Sequence, residues 1–294
     1  MKKYWFLLTV CLLNACTGSD LLDATVARDG YHVAYDIPYG SLPRQKLDIY
    51  IPDDQTKPTP VIVFFYGGSW QMGDKDLYRF VGQAFASKGY ITVIANYRLY
   101  PDVYFPAFVE DGAHAVRWVH DHISAYGGDT HNLYLAGHSA GGHIAAMLTV
   151  PAPYLAAAGG NPSWIRGMIG IAGPYDFLPL TDSNLIDLFG KVPIAQTQPI
   201  HYVISDAAAL PPLFLARGET DDVVDARNAD SLAAHARASG TNVELRTYPN
   251  VGHIGIVLAL AEGFRSTAPL LDDIDQFIQR TRKSEILPDS KWPK

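Results

Sequence analysis

The segment from Gly137 to Gly142 places a serine in a setting that suits a nucleophile. It reads Gly-His-Ser-Ala-Gly-Gly, so glycines flank Ser139 two residues away on each side. The run at 132–136 predicts a strand before the serine, and the run at 140–149 predicts a helix after it. Glycines allow the close backbone approach of such a tight turn, and the helix N-terminus directs free N–H groups at developing negative charge. We therefore predict that Ser139 is the nucleophile of an acyl-transfer reaction.

A second glycine pair, Gly67 and Gly68, follows an apolar run at 60–65. This run reads Pro-Val-Ile-Val-Phe-Phe and predicts a strand buried on both faces. Acyl transfer needs backbone N–H groups that point at the oxygen of the tetrahedral intermediate. We expect one donor at Ala140, directly after the nucleophile, and the others in the loop that contains the glycine pair. An ordinary β-turn is the alternative interpretation of that pair.

Three segments resemble the α/β-hydrolase superfamily, in the neighbourhood of the carboxylesterases, the hormone-sensitive-lipase-like enzymes and the arylformamidases. FFYGGSW at 64–70 is similar to the family's HGGGW, and NYRL at 96–99 is similar to its DYRL. The third segment is the GHSAGG around Ser139. The resemblance extends over nearly the whole chain after residue 29. It implies an α/β-hydrolase fold with a mostly parallel central sheet, helices on both faces, a small lid and no cofactor.

This resemblance assigns the remaining donors of the oxyanion hole. By position, Gly68 and Ser69 correspond to the family's donors and act beside Ala140. Tyr66 stands where the family has histidine, and Ser69 stands where it has a third glycine. A backbone N–H group is present whatever the side chain, so these two substitutions leave the donors of the oxyanion hole in place. The shape of the pocket stays open.

The resemblance also sets the order of the catalytic residues, with an acid and then a histidine after the serine. The histidines after Ser139 are His143, His201, His235 and His253. His253 lies in a Pro-Asn-Val-Gly-His loop behind the predicted strand 242–248, at the edge where parallel strands end. The other three lie in helical periods or in the predicted lid. We therefore predict that His253 is the general base.

The acid is expected on the loop behind the predicted strand 212–216. Residues 218–224 read Gly-Glu-Thr-Asp-Asp-Val-Val, which is similar to the family's G-x-x-D-x-V-V and assigns Asp221. A carboxylate there would hold the tautomer of the imidazole and stabilise its cation. Asp222 and Glu219 stay open as rivals, because the spacing alone does not separate them. Helix capping is the alternative role for each.

The composition excludes several other classes of protein. The chain has 294 residues, 48% hydrophobic and 18% charged, which excludes a disordered protein and allows a large core. Its formal net charge of −7 and the lack of a basic cluster argue against a nucleic-acid partner. Both cysteines lie in the first sixteen residues, so no cysteine-zinc site is expected. The acidic and histidine residues between 111 and 122 do not share one helix face, so we expect no metal site there.

Strand-like runs alternate with helical periods from about residue 30 onward. The strands are predicted at 46–51, 60–65, 90–96, 132–136, 168–172, 212–216 and 242–248, and the helices at 76–88, 106–126, 140–149, 225–239 and 264–282. This alternation is typical of βαβ units in a parallel sheet. We predict one catalytic domain at 30–294, with a lid at about 173–211.

The first sixteen residues predict an export signal. Two lysines precede an apolar run at 4–13 that is too short to span a bilayer, which is typical of a secretory signal peptide. The following Leu-Asn-Ala-Cys resembles the bacterial lipoprotein box. We therefore expect a signal peptide at 1–15, a lipid on Cys16 and a tether at 16–29. Thr17 favours the outer membrane over the inner one, and ordinary cleavage into the periplasm is the alternative.

Together these residues predict an exported serine carboxylesterase. Its substrate is expected to be a small-molecule ester with a small to medium acyl or aryl group, and its membrane contact only the N-terminal lipid. An amidase similar to the arylformamidases is the alternative with the same machinery. A lipoprotein that has kept the hydrolase fold only for binding is a second alternative, from a different class. The natural ester and the oligomeric state stay open.

Overall fold

Eight strands form one sheet in the computed structural model, which describes residues 26–55, 58–203 and 210–282. The strands are β1 Tyr31–Pro38, β2 Lys46–Pro52, β3 Thr59–Phe65, β4 Ile91–Ala95, β5 Gly128–His138, β6 Ile165–Ile171, β7 Leu213–Gly218 and β8 Val243–Tyr248. Their spatial order is β1-β2-β4-β3-β5-β6-β7-β8. The pairs β1–β2 and β2–β4 are antiparallel, and all the other neighbouring pairs are parallel. The predicted, mostly parallel sheet is confirmed.

Helices connect these strands. They are α1 Arg79–Ala86, α2 Ala107–His122, α3 Ala140–Thr149, α4 Tyr154–Ala157, α5 Ser183–Phe189, α6 Arg227–Ala238, α7 His253–Leu258 and α8 Leu270–Thr281. The predicted helix at 264–282 begins too early, because Pro269 directly precedes α8 and the residues before it form a short 3-10 turn. The predicted lid contains α5 and two 3-10 turns up to residue 203, and its residues 204–209 lie outside the described part of the chain.

The central strands are apolar on both faces because helices cover both sides of the sheet. Phe64 and Phe65 of β3 are both fully buried although they point in opposite directions. Phe64 meets the ring of Tyr78, just before α1, with ring centroids 5.7 Å apart. Phe65 points at Gly112 of α2 on the other side. A continuous apolar run in the sequence is therefore the correct signal for these strands.

The edge strand β1 was not among the predicted strands. All of its residues are half-buried or exposed, and the burial does not alternate regularly along the strand. A register shift between Ala34 and Ile37 interrupts its pairing with β2. An edge strand of this kind gives neither a two-residue period nor an apolar run, so it cannot be predicted from the sequence pattern.

The carboxyl ends of the parallel strands bring four loops to one edge of the sheet. They follow β3 at 66–73, β5 at Ser139, β7 at 219–224 and β8 at 249–252. Parallel register joins these ends, since Phe65 of β3 lies opposite Gly137 of β5 and Gly218 of β7 lies opposite Tyr248 of β8. Ligands of open α/β sheets bind at this edge.

Candidate active site

Ser139 sits on a strained turn between β5 and α3. Its backbone has φ 53° and ψ −122°, a conformation that costs a residue with a side chain about 1–3 kcal/mol. Its amide donates to the carbonyl oxygen of Ile171 at 2.9 Å, which ties the turn to β6. The residue is 8% exposed. The predicted turn at the end of a strand is therefore present.

The glycines around Ser139 are required by space. A Cβ at Gly141 would overlap the carbonyl oxygen of Phe65 on β3, and a Cβ at Gly137 would overlap the carbonyl oxygen of Gly141. These neighbours are backbone atoms and cannot move aside without shifting β3 or α3. The glycines thus let α3 start directly against the sheet and hold the serine above it.

The imidazole of His253 lies between Ser139 and a carboxylate. Its Nε2 is 2.9 Å from Oγ of Ser139, and its Nδ1 is 2.9 Å from Oδ2 of Asp221. An ionised carboxylate only accepts, so Nδ1 carries the hydrogen and Nε2 of the neutral ring can accept from the serine hydroxyl. All three side chains are nearly excluded from solvent. The geometry matches a nucleophile, a base and the group that orients the base.

Asp221 uses both carboxylate oxygens. While Oδ2 faces His253, Oδ1 accepts from the amides of Val223 and Val224 at 3.0 and 2.9 Å. Burial acts to raise the pKa of this carboxyl, but the hydrogen bonds from His253 and from the two amides outweigh it and hold the pKa below its ordinary value. Asp221 is therefore an anion over the neutral pH range.

The two rival acids occupy other positions. Asp222 is exposed to solvent. Glu219 is exposed as well and accepts from the amide of Asn250 at 3.2 Å, so it braces the loop that leads to His253. The sequence spacing did not separate these residues from Asp221, whereas the hydrogen bonds place Asp221 alone at His253 Nδ1.

The loop at 66–73 lies directly against the nucleophile turn. A Cβ at Gly67 would come within 3.1 Å of the Ser139 Cβ and 2.8 Å of the His138 Nδ1. The Gly67 amide is already used, because it donates to the Tyr78 hydroxyl at 3.3 Å. The amides of the next two residues are then the candidates for an oxyanion hole, as the sequence predicts.

Those two residues have left-handed backbones. Gly68 has φ 128° and Ser69 has φ 51°, and Trp70 continues the series with φ 59°. A Cβ at Gly68 would overlap the carbonyl oxygen of Met72, so glycine is required there. Ser69 adopts a conformation that glycine would adopt freely. The third predicted donor, Ala140, is the first residue of α3, where an amide has no partner within the helix.

Tyr66, which stands in place of the family's histidine, is part of the core. It is fully buried, and its hydroxyl donates to Oδ1 of Asn96 at 2.8 Å and accepts from Nη2 of Arg44 at 2.7 Å. Its ring stacks on Tyr97 with centroids 4.6 Å apart. Tyr66 thus packs in the core beneath the loop at 66–73 and does not line a substrate pocket.

Two buried histidines flank the serine, and their roles were not predicted. His138 is 2% exposed and donates from Nε2 to the carbonyl oxygen of His253 at 3.0 Å. His143 is fully buried and donates from Nε2 to the carbonyl oxygen of Thr197 in the lid at 2.9 Å. Burial lowers the pKa of His138 to about 3 and that of His143 to about 4. Only the position of His138 next to the serine could have drawn attention to it.

Aromatic rings pack between the loop at 66–73 and the lid. The Trp70 ring meets Phe189 of α5 at 4.9 Å and the His143 ring at 5.1 Å, both nearly edge-on. Trp70 and Tyr175 are almost fully buried, whereas Phe177 is only half-buried. Of these residues only Phe177 retains appreciable exposure with which to meet a substrate.

Asp111, His120 and His122 are engaged in structural contacts. Asp111 is fully buried and accepts from Nε and Nη2 of Arg98 at 2.8 and 2.9 Å. The rings of His120 and His122 stack on Trp164 and Trp118. Within residues 26–55, 58–203 and 210–282, no group of three or more His, Cys, Asp or Glu side chains is arranged to hold a metal ion.

Comparison with known proteins identifies the family. The BD-FAE family model matches residues 47–235, which is more than half of the chain. The chain belongs to the BD-FAE family. The matched region contains Ser139 and Asp221 and ends before His253.

Relatives with assigned names agree with this family. A probable isoprenylcysteine alpha-carbonyl methylesterase of Oryza sativa subsp. japonica is 29% identical over 246 residues, which are 77% of this chain and 58% of that protein. The kynurenine formamidase of Salmo salar is 28% identical over 245 residues, which are 77% of this chain and 76% of that protein. The chain spans only 52–58% of the length of the first three plant relatives.

A solved structure has the same fold. The esterase of the planctomycete Thermogutta terrifontis, solved with propionate bound, superimposes with a TM-score of 0.69 and 26% identity. The superposition covers 86% of this chain and 94% of that one. These matches confirm the predicted α/β-hydrolase fold and the predicted kinship with the esterases.

The N-terminal predictions precede the region that the family model matches, which begins at residue 47. The predicted signal peptide, Cys16 and most of the tether lie outside the described residues. Within the described ranges, no helix has both the length and the hydrophobicity to cross a membrane.

Proposed function

We propose that this protein is a serine hydrolase that cleaves carboxylic esters, with Ser139 as nucleophile, His253 as general base and Asp221 as the group that orients it. One observation carries the proposal. The unbroken chain of hydrogen bonds runs from Ser139 Oγ through the His253 ring to Asp221, with 2.9 Å at each step. Membership of a family with named esterase relatives supports the same conclusion.

Acylation begins when Ser139 Oγ attacks the ester carbonyl carbon and His253 Nε2 takes the hydroxyl proton. The amides of Gly68, Ser69 and Ala140 donate to the carbonyl oxygen as it becomes negative. Because these donors are already in place, they stabilise the developing charge without reorganisation. The bond to the alcohol oxygen then breaks as Nε2 returns the proton to that oxygen. The alcohol leaves, and the acyl group stays on Oγ.

Deacylation repeats these steps with water. His253 Nε2 takes a proton from a water molecule whose oxygen attacks the acyl carbon. The bond between that carbon and Ser139 Oγ breaks, and Nε2 gives its proton back to Oγ. One water is consumed for each ester, and the free acid leaves. The Asp221 anion stabilises the imidazolium in both halves and stays ionised throughout.

The surroundings of the triad favour an apolar acyl or aryl group of small to medium size. Met72, Val223 and Ile254 are all more than half exposed, and each lies within a few residues of a proposed catalytic group. Exposed apolar side chains at a site are a common means of binding apolar ligand groups. The related esterase of Thermogutta terrifontis was solved with propionate, a short carboxylate, bound.

An amide is the second candidate substrate. The match with the kynurenine formamidase of Salmo salar covers about three quarters of both chains, and this match supports an activity on small amides. The same serine, histidine and aspartate would serve, with Nε2 protonating a leaving amine in place of an alcohol. A binding protein without activity is the remaining alternative.

A panel of substrates tests the proposal. Purified protein is assayed with p-nitrophenyl, feruloyl and acetyl-sugar esters and with matched anilides and a formyl amide. We expect turnover of at least one ester class, and loss of that turnover in Ser139→Ala. Turnover of amides but not of esters would establish the amidase instead. A wild type without turnover on the whole panel would favour the binding protein.

We also propose that the chain is exported and anchored through a lipid on Cys16, in the outer membrane or facing the periplasm. The basic start, the short apolar run and the Leu-Asn-Ala-Cys segment support this placement. In a bacterial host, Cys16→Ala should move the protein from the membrane fraction to the soluble fraction and leave its esterase activity intact. Retention of that variant in the membrane would refute the lipid anchor.

A further inference from the structure

His138 makes a contact that the proposed mechanism does not use. It is the last residue of β5, next to the nucleophile, and its ring lies 4.9 Å from the His253 ring. A carbonyl oxygen only accepts, so the 3.0 Å contact with the His253 carbonyl fixes the hydrogen of His138 on Nε2. The Nδ1 atom is buried and has no hydrogen-bond partner in the described part of the chain.

This contact crosses between two parts of the site that are far apart in sequence. His253 is the first residue of α7, and its carbonyl group lies at the start of that helix. A donor on this carbonyl therefore holds the helix start and the attachment point of the base. On its other side, His138 Nδ1 faces Gly67, where a Cβ would come within 2.8 Å. One ring thus connects the start of α7, the loop at 66–73 and the turn that carries Ser139.

The charge of His138 also matters to the base. When His253 takes the serine proton it becomes a cation, and a second cation 4.9 Å away would oppose that step. Complete burial and the nearby His253 both act to lower the pKa of His138, to about 3. The ring therefore keeps its single Nε2 hydrogen in the neutral pH range and donates without adding charge.

We propose that His138 is a positioning residue for the base: its Nε2–H, bonded to the His253 carbonyl, keeps the His253 ring aligned between Ser139 and Asp221. This assignment rests on the proposed function, since it gives His138 a role in the reaction of that same triad. It separates His138 from an ordinary core histidine, which would affect stability alone.

His143 provides a matched comparison within the same chain. It too is buried, donates from Nε2 to a backbone carbonyl and has a buried Nδ1 without a partner among the described residues. Its carbonyl partner belongs to Thr197 in the lid and not to the base. Equal substitutions at the two positions therefore remove similar contacts, and only one of them touches the base.

The test uses the full chain with His138→Gln, His138→Asn and His143→Asn. A glutamine amide reaches the position of Nε2, whereas an asparagine amide reaches only that of Nδ1. We expect His138→Asn to lower kcat by about 30-fold with little change in KM, His138→Gln to stay within about 3-fold of the wild type, and His143→Asn to lower the unfolding temperature with less than a 3-fold change in kcat. Proton NMR gives a second readout, because the low-field signal of the hydrogen between His253 Nδ1 and Asp221 should weaken in His138→Asn alone.

These outcomes separate the two proposals. Equal kcat and equal low-field signals in His138→Gln and His138→Asn would overturn the role of His138, as would equal losses of kcat in His138→Asn and His143→Asn. A wild type that shows the low-field signal but turns over neither esters nor amides would contradict the proposed function instead. The NMR comparison does not need turnover, so it decides on His138 in that case as well.

Discussion

The nucleophile turn and the loops that carry the acid and the base are held in different ways. Around Ser139, glycines bring backbone into contact with backbone, and a Cβ at Gly141 would overlap the neighbouring strand. Close backbone packing also occurs at the end of β7, where a Cβ at Gly218 would overlap the Val251 carbonyl oxygen. Next to His253 itself, however, hydrogen bonds fix the ring and there is more room. A Cβ at Gly252 would meet its nearest atom, the Thr220 carbonyl oxygen, at 3.6 Å, and the neighbouring Ile254 is 58% exposed.

This difference corresponds to what each part does in the proposed reaction. The serine and the oxyanion donors must stay where they are while charge develops, and rigid packing serves that purpose. The imidazole must gain and lose a proton while keeping its direction, and that direction is defined by the hydrogen bond that His253 donates to Asp221 and by the one that it accepts from His138. Packing defects should therefore damage the first region, and loss of single polar groups should damage the second.

The largest effect is expected from the acid. Asp221→Asn should lower kcat by roughly 10⁴, because an amide favours the wrong tautomer of His253. Asp222→Asn, the matched control one residue away, should change kcat by less than about 3-fold, because its side chain is solvated. Steady-state kinetics on the best ester measure both. A greater loss in Asp222→Asn would mean that the loop adopts another register in solution.

Packing is tested by two glycine substitutions. Gly141→Ala should destabilise the protein by about 3 kcal/mol or more, because the new methyl group meets the backbone of β3. Gly252→Ala should cost less than about 1 kcal/mol, since its φ of −93° suits any residue and space is available. Urea unfolding of both variants measures this. Similar losses would remove the distinction between the two regions.

Acid should weaken the fold through the two buried histidines. Their folded pKa values, about 3 for His138 and about 4 for His143, lie below that of an exposed histidine near 6.5. The unfolded chain then binds more protons, so their contribution is complete above about pH 6.5 and is lost as the pH falls towards 4. Two such groups give a slope of about 3 kcal/mol per pH unit.

Urea midpoints at pH 7, 6 and 5 measure this slope. The variant His143→Gln removes one of the two groups and should reduce the slope by about half. An unchanged slope in that variant would show that other groups cause the acid sensitivity.

The smallest effect is expected at Ser69. The proposed donor is its amide, so Ser69→Ala should keep kcat within about 3-fold, and Ser69→Gly should change the stability by less than about 1 kcal/mol because glycine adopts φ 51° freely. Kinetics and urea unfolding measure these values. A loss above about 100-fold in Ser69→Ala would instead assign the hydroxyl as the donor.

The parts of the molecule that were predictable from sequence have strong local signals. The apolar run of β3 and the glycine-flanked serine each depend on neighbours in the chain, and their places in the structure agree with the predictions. The acid was harder, because Glu219, Asp221 and Asp222 share one short loop. Only a hydrogen bond across 32 positions to His253 separates them.

Other features could not be predicted because they arise from contacts between distant segments. The histidine next to the nucleophile bonds a residue 115 positions away, and nothing in the local sequence indicates that partner. Tyr66 stands where the family has histidine, and nothing near it in the sequence indicates that its hydroxyl bonds Arg44 and Asn96. Strand β1 is half-buried or exposed along its whole length and carries no regular burial pattern.

The central claim is that Ser139 is a nucleophile activated by His253 and Asp221. The most direct measurement is reaction with a fluorophosphonate probe, followed by mass spectrometry of the intact protein and of its peptides. We predict one adduct per chain, located on Ser139, formed by the wild type, absent in Ser139→Ala and strongly slowed in Asp221→Asn. An unlabelled wild type, or an adduct on another residue, would contradict this account.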